Sequence, residues 1–120
     1  MAGIKTLFSL LILSTAYSAS AIPLAEALYE RRCGACHSPD HNRVGPKHRT
    51  TWGSRAGSVE GYRYSDALRH SDIIWDEATL DAWLANPQAL IAGQKMGYRL
   101  QNSEERALII QYLKSLNAPK

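Results

Sequence analysis

Beyond Cys33 and Cys36, the 120-residue chain has no cysteine. A disulfide framework needs several pairs, and one bridge between residues three apart closes too short a loop to stabilise much. A four-ligand zinc site usually takes two separated pairs, and the second is missing. Strand-like alternation is absent, as are internal repeats and low-complexity tracts. Charge of one sign is in short supply: 14 basic residues face 11 acidic ones, for a formal net charge of +3. A nucleic-acid partner would need a denser basic face, so none is expected. Long apolar runs are lacking too. The only one, Leu7–Leu13, is shorter than the about 20 residues needed to span a bilayer, so no stable membrane insertion is expected.

That short run has a different use. Lys5 precedes it, and Ala19-Ser20-Ala21 follows with the small side chains a signal peptidase requires. Residues 1–21 therefore read as a signal peptide cleaved after about Ala21, with an uncleaved N-terminal anchor as the alternative. Residues 22–120 then form one small exported domain, placed in the periplasm. A domain of that size needs something besides its apolar core to hold it together.

The two cysteines lie in "RRCGACHSPD", with His37 directly after Cys36. Three chemistries use such a stretch. A zinc finger would separate its Cys and His pairs by a dozen or so residues, whereas His37 and His41 abut the thiols. A dithiol redox site usually opens a helix in a βαβ pattern, whereas this pair follows a helical run. Covalent haem attachment fits each residue. The two thiols add across the two vinyl groups of one porphyrin, and the histidine that follows lies under the iron. The expected cofactor is thus one haem c, joined through Cys33 and Cys36, with His37 on the metal.

A second axial ligand must come from elsewhere. Met96 is the only methionine outside the signal segment. A lone methionine is more often core filler, but this one lies between two helical patterns with Gly93 and Gly97 beside it. A thioether facing an imidazole favours ferrous iron and closes the metal to small molecules, which points to electron transfer rather than catalysis.

The rest of the chain reads as helices around that cofactor. Pro23 can open a first helix carrying Ala25, Leu28, Tyr29 and Arg32. A long Gly- and Pro-rich loop, 37–64, makes sense when wrapped round a flat group. A short helix is expected over Ser65–His70, and a third from about Asp76 to Ala85, stopping before Pro87. A fourth starts at Ser103 as N-cap and presents Ile109, Tyr112, Leu113 and Leu116.

Residues 24–116 resemble a class I cytochrome c, of the kind found in mitochondria and among bacterial cytochromes c2. The stretches that carry the resemblance are "CGACH", "NRVGP", "GSRAGSVEGYRYSDAL", "IIW", "LDAWLANP", "GQKM" and "IIQYLKSL", in the family's order. The resemblance implies an all-α fold, with about four helices wrapped around one covalently bound haem. It implies axial ligation by His37 and Met96, with the Pro46 carbonyl accepting from the His37 ring. It implies that Tyr64 and Trp75 donate to a buried haem propionate, plain core packing being the alternative for both. It also implies that Ala25 and Tyr29 cross the last helix at Ile109 and Tyr112.

The chain departs from the family pattern at several points. "GPKHRT" places His48 where a leucine packs on the haem; it reads as a satisfied or half-exposed histidine, with iron ligation as the alternative. Arg55 lies one residue beyond the usual propionate-side arginine. Gln94 and Ala92 replace a threonine and a proline before Met96. Trp83 replaces a tyrosine that commonly bonds the methionine sulfur.

The leading functional expectation is a one-electron carrier, not an enzyme, that shuttles as a monomer between larger redox proteins. Arg31, Arg32, Arg43, Lys95 and Arg99 form either a ring around the exposed haem edge or a scatter of solvated charges. The rival reading is a dedicated haem subunit of a multi-subunit periplasmic dehydrogenase, which would show a larger apolar face. A haem peroxidase is a third reading, and Met96 argues against it.

Overall fold

The computed structural model describes residues 21–119, so the expected signal run Leu7–Leu13 lies outside the described residues. Five helices follow one another: α1 (Ala21–Arg32), α2 (Asp66–Arg69), α3 (Glu77–Ala85), α4 (Pro87–Leu90) and α5 (Ser103–Leu116). Among the described residues no strand forms, and only Arg55 and Ile74 make an isolated bridge. No helix of the described residues is long and apolar enough to cross a membrane.

The frame is the crossing of α1 and α5. Ala25 and Tyr29 are fully buried on one side, and Ile109 and Tyr112 on the other. The Tyr29 and Tyr112 rings meet at 4.8 Å. A small Ala25 lets the helices approach, and aromatic area then fills the crossing. At its rim Arg32 grips Glu105 through two hydrogen bonds of 2.9 and 3.0 Å.

Among the described residues α1 already includes Ala21, so Pro23 lies inside the helix rather than opening it. α5 is capped by Asn102, not by Ser103. The Asn102 side-chain oxygen accepts from the backbone of Glu104 and Glu105 at 2.9 and 3.0 Å, and Ser103 becomes the first helical residue. α4 was not foreseen. Asn86 closes α3 and caps α4, its side chain accepting from Ala89 N–H at 3.3 Å, with Pro87 as the first helical residue.

The long loop is anchored at its middle, over residues 52–56. Gly53 N–H donates to Trp75, Trp75 N–H to Ser54 and Ala56 N–H to Ile73, at 2.8 to 2.9 Å. The Asn117 amide donates to the Trp52 carbonyl at 2.9 Å, tying the loop to the end of α5. Arg106 bonds Asp81 of α3 at 2.6 Å and the Leu100 carbonyl at 3.0 Å, which fixes α5 to α3 and to the segment that carries Met96.

Candidate functional site

The haem motif continues α1 as a tightening turn. Cys33 N–H donates to Tyr29 at 2.7 Å, and Cys36 and His37 both donate to the Cys33 carbonyl, at 3.1 and 2.9 Å. That turn sets the two thiols one above the other. They form no disulfide. Arg43 folds back over the turn and donates to the carbonyls of Gly34 at 2.5 Å and His37 at 3.3 Å. Burial, with smaller contributions from Glu30 and Cys36, pushes the Cys33 thiol up to about 12, so it stays neutral at neutral pH.

His37 is held by its far nitrogen. Nδ1 donates to the Pro46 carbonyl at 2.8 Å, which fixes the tautomer and leaves Nε2 without its proton, as a metal ligand requires. Burial is the main cause that lowers its pKa, and it outweighs the opposing pull of the Pro46 bond. Gly45 makes this seat possible. A Cβ there would stand 2.1 Å from His37 Cε1 and 2.6 Å from Nε2, so only glycine lets the chain pass so close to the ring.

Behind the motif opens a cavity of about 660 Å³. Every residue expected to hold the cofactor lines it: the two cysteines, His37, Pro46, Tyr64, Trp75 and Met96. Leu80, Trp83 and Leu84 add an apolar wall. The Trp75 and Trp83 rings meet edge to face at 5.3 Å. Trp75 is largely buried, but its indole N–H is not shut in as an orphaned buried donor, and the residue lines the cavity. The Tyr64 hydroxyl accepts from Val59 N–H at 3.1 Å, which leaves its own proton to donate elsewhere. A large apolar cavity with two thiols, one oriented imidazole and two side-chain donors fits a haem with its propionates.

The fold gives partners to four residues singled out in the sequence. His48 lines the cavity, but its ring stacks on His37 at 4.0 Å and 21°. Two axial ligands point their nitrogens at each other across a metal, and stacked rings do not, so in this arrangement His48 is a neighbour of His37 rather than its opposite ligand. Its pKa is lowered to about 3, by burial first and by His37 second, so it is neutral at pH 7. Arg55 spends a guanidinium nitrogen on the carbonyls of Arg69 and Ser71, at 3.2 and 2.9 Å. Arg32 is paired with Glu105, and Arg43 is committed to the haem turn. The Arg32 charge is thus balanced by Glu105, whereas Arg43 keeps its positive charge at an exposed position.

Sequence reasoning gave no role to several lining residues, among them Val44, Thr51, Tyr62, Leu68 and Tyr98. Val44, 74% exposed, lines the cavity. An apolar residue isolated between Arg43 and Gly45 was the available signal. Gln94 also lines the cavity and bonds the backbone of Met96.

The family model for cytochrome c matches residues 24–117. The chain belongs to the cytochrome c family. It is 39% identical over 104 residues to cytochrome c2 of Rhodomicrobium vannielii, covering 83% of this chain and 82% of that protein. It is 40% identical over 91 residues to cytochrome c of Gibberella zeae, covering 72% and 86%. Among solved structures it is similar to cytochrome cH from Methylobacterium extorquens, with a TM-score of 0.73 and 36% identity, covering 78% of this chain and 97% of the other. The protein is thus a class I cytochrome c of all-α fold, an electron carrier rather than an enzyme, with one haem c joined through Cys33 and Cys36.

Proposed function

We propose that this cytochrome c is an exported periplasmic protein, with residues 1–21 as signal peptide, that shuttles single electrons as a monomer between larger redox partners. The proposed axial ligands are His37 and Met96. The observation that carries the reading is the His37–Pro46 bond, which presents Nε2 to the same cavity that Met96 lines. The haem supplies an iron that changes by one electron between ferric and ferrous.

The chain's own groups do the rest. Pro46 holds the His37 ring in one orientation. Trp75 and Tyr64, which line the cavity, would donate to propionate oxygens. Leu80, Trp83 and Leu84 keep water from the cofactor, which limits the reorganisation that accompanies a change of charge. Among the described residues, the exposed large apolar side chains are Ile22, Leu24, Val44, Ile74 and Tyr98, and of these Val44 and Tyr98 line the cavity. So small an apolar rim suits brief encounters better than a permanent subunit interface.

An optical spectrum with redox titration tests the reading. Wild-type ferric protein should show a thioether-to-iron charge-transfer band. Met96→Ala should lose it, lower the potential and bind added imidazole. A Met96→Ala protein that kept the band would remove Met96 from the iron.

A further inference from the structure

The segment that delivers Met96 is poorly held by its own backbone. Gln94 N–H donates to Ile91 at 3.3 Å, and the next main-chain donor bonded to another main-chain group is Leu100, which reaches Leu84 at 2.8 Å. Among the described residues, no backbone–backbone bond involves residues 95–99. Gly93, with φ +89°, and Gly97, with open space around its Cα, flank the methionine and add conformational freedom. A hollow of about 220 Å³, lined by Pro87, Gln88, Lys95 and Arg99 among others, borders the same stretch.

One side chain replaces the missing ladder. Gln94 Oε1 accepts from Met96 N–H at 2.5 Å, and Gln94 Nε2 donates to the Met96 carbonyl at 2.8 Å. The second amide proton points toward Gln88 Oε1 at 3.5 Å. Both polar backbone atoms of Met96 are thereby satisfied by a neutral amide two residues away. The amide works in one orientation only, because turning it over would set oxygen against oxygen and N–H against N–H. The contact fixes the backbone on either side of the Met96 Cα and so fixes where its side chain starts.

We propose that Gln94 is a positioning residue for the sixth ligand: its carboxamide clamps the Met96 backbone and holds the loop closed over the cavity. The inference rests on Met96 being that ligand. An external ligand reaches the iron only when the loop opens, so its apparent affinity reports the closed population. Two lost hydrogen bonds shift that population by about tenfold or more.

The test is imidazole titration of the ferric holoprotein, with Gln94→Leu and Gln94→Glu beside wild type. Leucine keeps the bulk and removes both bonds. Glutamate keeps an acceptor for Met96 N–H but sets an oxygen against the carbonyl. Gln94→Leu should bind imidazole about tenfold tighter or more, and Gln94→Glu should fall between it and wild type. Urea unfolding of each variant separates loop opening from general loss of stability. If wild type lacks the thioether band, Met96 is not the ligand and the clamp falls with it. If the band is present and Gln94→Leu binds imidazole within twofold of wild type, the clamp alone is wrong.

Discussion

The Tyr29 hydroxyl and His48 Nδ1 share a hydrogen bond of 2.9 Å across 19 residues of sequence. Tyr29 is wholly buried in the α1–α5 crossing, and His48 is the residue stacked on His37. One bond therefore joins the frame of the fold to the wall behind the proximal imidazole. Removing one partner leaves the other buried without a mate, at about 1–3 kcal/mol, whereas removing both costs much less. Tyr29→Phe and His48→Leu should each destabilise, and the double variant should be more stable than their sum implies. Urea unfolding in a double-mutant cycle measures the coupling, and additive effects would show that the bond contributes nothing.

Gly45→Ala should damage the haem site more than any other loop substitution of equal size. The added methyl overlaps the His37 ring from Cε1 to Nδ1, so either the ring leaves Pro46 or the chain moves. The expected outcome is a low yield of holoprotein and an altered ferric spectrum. A spectrum and an unfolding midpoint like those of wild type would mean the loop gives way freely.

Acid should weaken the protein in part through Asp76. Its carboxylate caps α3, accepting from Thr79 N–H at 2.9 Å, while Thr79 Oγ1 accepts from Asp76 N–H at 2.9 Å. Thr79 N–H foremost, and after it the Thr79 hydroxyl, which lies 3.0 Å from the same carboxylate oxygen, hold the carboxyl below its ordinary 3.8. Because the folded value is the lower one, the stabilisation is present above 3.8 and is lost as pH falls through the folded value. Asp76→Asn keeps a capping oxygen but cannot titrate. The urea midpoints of the two proteins should converge on acidification. A constant difference across that range would remove Asp76 from the acid response.

Charge reversal should separate docking from folding. Lys95 and Arg99 are exposed beside Met96, and neither has an ion-pair partner among the described residues. Lys95→Glu and Arg99→Glu should slow electron transfer with an acidic partner while leaving the spectrum unchanged. The effect should fade as salt shortens the screening length to about 10 Å at 0.1 M and below. Arg32→Glu should instead lower the unfolding midpoint, because it sets like charges together at the Glu105 contact. Unchanged rates for both loop variants at low salt would point to docking by the apolar rim of Val44 and Tyr98.

The chemistry of this chain was readable from its sequence because it is local. Thiols three residues apart with an adjoining imidazole define a haem motif at short range, and "NRVGP" and "GQKM" name the stretches that meet it. Helices α1, α3 and α5 were legible from apolar spacing and end signals. α4 was not, because Asn86 and Pro87 stop one helix and start the next, and only the first role was read. The tertiary structure decided what each polar side chain spends its charge or proton on. Arg32 read as a free cation until the fold brought Glu105 to it from 73 residues away. The sequence favours a satisfied histidine at His48, but only packing names its partners, laying it flat on His37 and bonding it to Tyr29. Even Gln94, two residues from Met96, needed the loop's actual path, because a side-chain clamp forms only when the backbone turns its N–H and its carbonyl to the same side. Covalent spacing is written in the chain, whereas a hydrogen bond between side chains depends on where the whole fold places both ends.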